Sequence, residues 1–182
     1  MCSSDLKDME LLTVSRPYTE ELMESINEVV HLVIREDNDI VYIDKVEADN
    51  TIRMASTIGK RSPLYCTAVG KAILAQLSEE EVEEVWNNSK IEKLTEFTIT
   101  DLEDMKKELE AVRLNGYAID DEENEIGVRC VGVPVFNMFG QVEGAISVSG
   151  PTIRVTEGII GKFAKRTVEC ANLISKELGY KG

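Results

Sequence analysis

The stretch GVRCVGVPVFNMFGQVEGAISVSG, residues 127–150, decides the fold class. Two β-branched runs, Gly127–Phe136 and Gln141–Gly150, flank the short tetrad NMFG, whose Gly140 suits the left-handed position of a tight hairpin loop. The two runs therefore predict adjacent antiparallel strands. Side chains alternate along a strand, so Ser147 and Ser149 share one face and Ile146 and Val148 the other. By the same period Val128, Cys130 and Gly132 share a face, opposite Arg129 and Val131.

Working outward, the sequence N-terminal to this hairpin reads as strands, then helices. Pro17 marks the first turn of a helix, RPYTEELMESINEVV, with Leu22, Ile26 and Val29 as its apolar stripe. The runs EVVHLVIR and DIVYIDKVE around EDN predict a second hairpin, and TIRMAS (51–56) a further strand. From Thr67 the pattern turns helical. Ser78 and Glu81 form a capping box, and Thr100 with Glu103 repeats the device before a helix whose stripe is Leu102, Met105, Leu109 and Val112. Gly116 stops that helix, and a long closing helix follows Thr156. Strand runs joined by hairpins, with helices between and around them, predict an α+β domain on a central antiparallel sheet flanked by helices.

The chain has 182 residues, 43% hydrophobic and 30% charged, which suits one well-packed domain. No apolar run approaches the ~20 residues of a membrane span, and no signal peptide opens it, so the expected location is cytoplasmic. The formal charge of −14, from 34 acidic against 20 basic residues, repels nucleic acid. Cys2, Cys66, Cys130 and Cys170 never form a CxxC pair and there is one histidine, so neither a metal centre nor a disulfide framework is expected.

Four features could carry chemistry. Ser147 and Ser149 place two hydroxyls on a face that covers the core, where an unpaired hydroxyl costs ~1–3 kcal/mol; each bonds a neighbouring backbone group or faces a ligand. Cys130 is either a small buried residue or a nucleophile needing a partner to lower its pKa, and His31, itself readable as a hydrogen-bonded histidine on a sheet face, is the one histidine at hand. Asp120, beside the predicted strand YAI, either ends a solvated acidic loop or points inward to accept a ligand hydroxyl. In YCTAVGKAIL (65–74), Gly70-Lys71 suggests a phosphate loop, but Tyr65 and Ala72 stand where that motif needs glycine and Ser or Thr. The small residues Thr67, Ala68 and Gly70 at this helix start instead suit close approach of a small carboxylate to free N–H groups, with Lys71 pointing outward or paired to an acid.

The blocks RPYTEELMESINEVVHLVI, IVYIDKV, RMASTIGKRSPLYCTAVGKAILAQL, GYAIDDEENEIGVRCVGVPVF and GAISVSGPTIRVT resemble, in order and spacing, the C-terminal effector-binding domain of the IclR family of bacterial transcription regulators, within it the KdgR-like subgroup. The resemblance runs from Arg16 to about Tyr180. It implies a GAF-like fold, no catalysis and no cofactor, and a domain that senses a small 2-oxo acid or sugar acid and forms homodimers or homotetramers. It implies that the ligand carboxylate meets the backbone around Thr67, Ala68, Val69 and Gly70, that Asp120, Cys130, Ser147 and Ser149 supply polar contacts, and that Met54 and Val128 form an apolar wall. Residues 1–15 would be the remnant of a linker and 16–182 the effector domain. Repressor-type binding of operator DNA would fall to an N-terminal winged helix-turn-helix that this sequence does not match. The alternative is a GAF-like thiol enzyme or redox sensor using Cys130.

Overall fold

The computed structural model describes residues 3–50 and 52–182. Helix α1 (Ser3–Ile26) leads into β1 (Val29–Glu36), β2 (Asp39–Val46) and β3 (Arg61–Pro63). Helices α2 (Ala68–Leu74), α3 (Glu79–Asn87) and α4 (Leu102–Asn115) follow, then β4 (Ala118–Asp121), β5 (Val128–Phe136), β6 (Val142–Pro151) and α5 (Glu157–Glu177). The six strands form one sheet in the order β3-β2-β1-β6-β5-β4, every neighbouring pair antiparallel. Both predicted hairpins are present: β5 and β6 join through a loop with Gly140 at φ 72°, β1 and β2 through Asp37 at φ 55°. This is the expected α+β architecture.

The sheet separates two cores. On one face Val30, Leu32, Val131, Val133, Ile146 and Val148 pack with Leu11 and Leu22 of α1 and Phe163, Ala171 and Ile174 of α5. On the other, Val33, Ile40 and Ala145 pack with Ile73 of α2, Val82 and Val85 of α3, and Met105 and Leu109 of α4. The period-two split of residues 145–149 is thus observed, with Ile146 and Val148 in one core and the serines turned to the opposite face.

Four sequence expectations are corrected. Helix α1 runs unbroken through Pro17, which lies inside it rather than in its first turn. The missing N–H would have served Thr13, whose exposed position lets water take the carbonyl instead. Leu11 and Ser15 of this helix are buried; Met1 and Cys2 lie outside the described residues. The helix stops at Asn27 (φ 51°), and Val29, read as the end of its stripe, begins β1. Residues 52–57 are not a strand, Thr51 lying outside the described residues; the edge position beside β2 is taken by Arg61–Pro63, paired to Asp39–Val41. Finally, α4 is capped by Asp101, whose carboxylate accepts the Asp104 amide at 3.1 Å, and not by Thr100. The Ser78–Glu81 capping box forms as expected, its reciprocal bonds 3.2 and 2.9 Å long.

Candidate functional site

Register brings the candidate residues together. One row across the sheet reads Lys45, His31, Ser147, Gly132, Ala118; the next reads Val29, Ser149, Cys130, Asp120. Above these rows lies the start of α2. Gly132 makes that approach possible, because a β-carbon there would overlap the Ala68 carbonyl group and the Val69 nitrogen. Between α2, the two rows and the segment 54–56 is a cavity of about 80 Å³, lined by nine of the ten expected residues: Met54, Thr67, Ala68, Val69, Asp120, Val128, Cys130, Ser147 and Ser149. Gly70 is not in the wall. It packs on Leu64, where a side chain would collide with the backbone, and its amide goes to the Thr67 hydroxyl at 3.1 Å.

The first turn of α2 is partly self-satisfied. Thr67 caps Gly70 with its hydroxyl, donates that hydroxyl to the Pro63 carbonyl (2.9 Å), and accepts the Lys71 amide with its carbonyl (2.9 Å). Among the described residues no acceptor is found for the Ala68 and Val69 amides, so these two donors are available to the cavity.

Lys71 carries the second half of the Gly-Lys pair and is completely buried. Its ammonium donates to Ile119 O (2.6 Å), Glu123 Oε1 (2.7 Å) and Glu108 Oε1 (2.8 Å). Burial pulls its pKa down, but the two carboxylates outweigh this and leave it raised, so the amine keeps its proton. It fastens α2 to α4 and to the acidic loop, and is not a phosphate ligand.

Asp120 is buried at the cavity's β4 side, where Oδ1 accepts the amides of Glu123 (2.8 Å) and Asn124 (3.3 Å). Burial, then the nearby Glu123, push its carboxyl up to about 7. The Cys130 thiol is pushed well above its ordinary range by burial, with Asp120 adding to the effect and the Ser149 hydroxyl opposing it. A thiol held in that direction is a poor nucleophile, which removes the support for the thiol-enzyme alternative.

His31 is buried on the cavity floor, its Nε2 2.6 Å from Ser56 Oγ and its Nδ1 3.4 Å from both serine hydroxyls. Burial and the positive charge of Lys45 lower its pKa to about 3, so it is neutral. As expected it is a hydrogen-bonded histidine on a sheet face, but that face is the cavity. Tyr42, Ser56, Ser62, Asn124 and Glu125 also line the wall and were not anticipated. The signal for His31 lay in its strand alternation, which becomes legible only once β1 is known to pair with β6. Among the described residues no group of three or more His, Cys, Asp or Glu side chains could hold a metal ion, and no helix is long and apolar enough to cross a membrane.

Comparison with known proteins agrees with this architecture. Residues 3–176 match the family described as bacterial transcriptional regulator IclR, C-terminal. The HTH-type transcriptional regulator KdgR of Escherichia coli is 37% identical over 175 residues, covering 96% of this chain and 66% of the relative. The transcriptional repressor IclR of the same organism is 32% identical over 179 residues, 97% of this chain and 65% of its own length. This chain therefore spans just under two thirds of these relatives. Among solved structures, the Thermotoga maritima IclR superposes with a TM-score of 0.89 at 39% identity, covering 93% of this chain and 69% of that one. A double mutant of the inducer-binding domain of PobR from Acinetobacter, in complex with 3-hydroxybenzoic acid, superposes at 0.83 with 26% identity over 90% of this chain and 96% of that one. These relatives are regulators rather than enzymes, and the chain belongs to the IclR family of bacterial transcriptional regulators, as their C-terminal domain.

Proposed function

We propose that the cavity binds a small carboxylate effector, and that this domain senses it on behalf of a repressor-type regulator. One observation carries the reading: the Ala68 and Val69 amides, the Ser147 and Ser149 hydroxyls and the buried Asp120 converge on a single cavity. Amides at a helix start with adjacent hydroxyls form a carboxylate receptor, and the PobR domain holding a carboxylic acid supports the assignment. Size narrows the class. Since a water needs ~10–15 Å³ of such space, about 80 Å³ accommodates a short acid such as pyruvate or glyoxylate. A larger sugar acid of the ketodeoxygluconate type requires the walls to part.

The effector biases a two-state equilibrium only by its differential affinity for the states, and in the whole regulator that bias passes to an N-terminal helix-turn-helix that contacts operator DNA. Homo-oligomers are the working form in this reading. Apolar side chains left in solvent, among them Phe139 (75% exposed) at the β5–β6 loop and Leu114 (83%) on α4, support it. Calorimetry with pyruvate, glyoxylate, ketodeoxygluconate and 3-hydroxybenzoate tests the site. Ser147→Ala and Ser149→Ala should each weaken the acid that binds by ~0.5–3 kcal/mol while leaving the unliganded melting point nearly unchanged. Parent-like affinity in both variants would place the ligand elsewhere.

A further inference from the structure

The segment 53–57 passes over the cavity without joining the sheet, contributing Met54, Ala55 and Ser56 to its wall. Among the described residues no backbone–backbone hydrogen bond ties residues 53–56 to the strands. Three side-chain contacts hold them. Lys45 Nζ, from β2, donates to the Met54 and Ser56 carbonyls at 2.9 and 2.8 Å, and His31 Nε2, from β1, meets Ser56 Oγ at 2.6 Å. The other nitrogen of the same ring faces Ser147 and Ser149 at equal distances of 3.4 Å. Tyr42 packs edge-on against the imidazole, ring centroids 5.0 Å apart, which fixes its plane.

We propose that His31 is a positioning residue that latches the segment 53–57 over the cavity, linking Ser56 to the two serine hydroxyls that receive the ligand. The inference rests on the cavity being the effector site. A neutral imidazole has one N–H and one lone pair, so its two nitrogens cannot both accept or both donate. A carboxylate that draws the serine O–H groups toward itself leaves the serine oxygens to accept, which favours the tautomer protonated on Nδ1. Nε2 then accepts from the Ser56 hydroxyl. Every donor in the chain Ser56, His31, serine, carboxylate points toward the ligand, and aligned hydrogen bonds of this kind polarise and strengthen one another. No net proton is taken up. The ligand thereby tightens the segment that covers it.

Because His31 is the one histidine of the 182-residue chain, labelling histidine with ¹⁵N reports this ring alone. The experiment compares the parent with Ser56→Ala and Ser56→Thr, using pyruvate and glyoxylate as probes. Without ligand, trypsin should cut after the exposed Arg53 several-fold faster in Ser56→Ala than in the parent, with melting points within about 2 °C, and Ser56→Thr should restore the parent rate. With a bound acid, the ring should carry its proton on Nδ1, cleavage after Arg53 should slow, and the acid should dissociate several-fold faster from Ser56→Ala than from Ser56→Thr. Equal Arg53 cleavage in the parent and Ser56→Ala overturns the latch, and so does a complex with the proton on Nε2. If neither acid binds the parent, the effector reading fails for these probes, and the ligand-free cleavage comparison still decides whether His31 and Ser56 hold the segment.

Discussion

Replacing Lys71 by methionine keeps the hydrocarbon stem that fills the space between α2, α4 and the acidic loop, and deletes the ammonium. Three contacts of 2.6–2.8 Å disappear at once. Their loss is unequal. The Glu108 side chain is 32% exposed and can be rehydrated, so its share is screened. The Glu123 side chain is 10% exposed and one of its oxygens already lacks a partner, so its charge is left uncompensated. Breaking a buried pair from one side costs ~3–5 kcal/mol, which for a chain of this length lowers the melting point by roughly 6–20 °C at ~2–4 °C per kcal/mol. Adding Glu123→Met removes the stranded charge, leaving the Ile119 carbonyl, worth ~1–3 kcal/mol, as the main loss. The double variant should therefore be more stable than Lys71→Met alone. Urea denaturation of the parent, both singles and the double at pH 7 gives the coupling directly. A loss below ~1 kcal/mol for Lys71→Met, or single effects that simply add to within ~0.5 kcal/mol, would refute the view that this ammonium neutralises a buried carboxylate.

Gly132→Ala should destabilise by ~1–3 kcal/mol, because its methyl group meets the Ala68 backbone, and should weaken effector binding by displacing the α2 amides; a calorimetric titration matching the parent would count against the packing argument. Asp120, raised from 3.8 to about 7, holds its proton more tightly folded than unfolded, so the stability it contributes is full below pH ~4 and lost as pH rises through 7. Asp120→Asn, which retains an acceptor for the Glu123 and Asn124 amides, should gain on the parent by up to ~4 kcal/mol between pH 4 and pH 8 at 1.36 kcal/mol per unit, and a pH-independent difference in urea stability would contradict this. Cys130 should alkylate with iodoacetamide at pH 7.5 far more slowly than a free thiol does, since burial disfavours its thiolate; labelling at the free-thiol rate would reinstate a reactive cysteine. Ser78→Ala should cost ~1 kcal/mol through the lost capping box, measurable as a shift in urea midpoint with unchanged slope.

Local rules read directly from the sequence fixed much of this molecule. Alternation put Ser147 and Ser149 on one face of their strand and Val128, Cys130 and Gly132 on one face of theirs, Gly140 in the tetrad 137–140 marked the hairpin, and Ser78 with Glu81 marked a helix start. Each depends on residues only a few positions apart, where bond geometry dictates the outcome. The family resemblance placed the cavity residues, and the fold brings nine of those ten to one wall. Other features required contacts between distant parts of the chain. His31 reaches the cavity because β1 pairs with β6, more than a hundred residues later, and nothing in VVHLVI specifies that neighbour. Lys71 reads locally as a helix-start lysine that could face solvent, and is buried because Glu108 and Glu123, 37 and 52 residues away, converge on it. TIRMAS has strand-like composition, but the strand position beside β2 went to Arg61–Pro63, and the segment crosses the cavity, where Lys45 and His31 offer the bonds a sheet edge would have supplied. Pairing between distant segments is a competition decided by the energy of the whole assembly, which local periodicity does not encode.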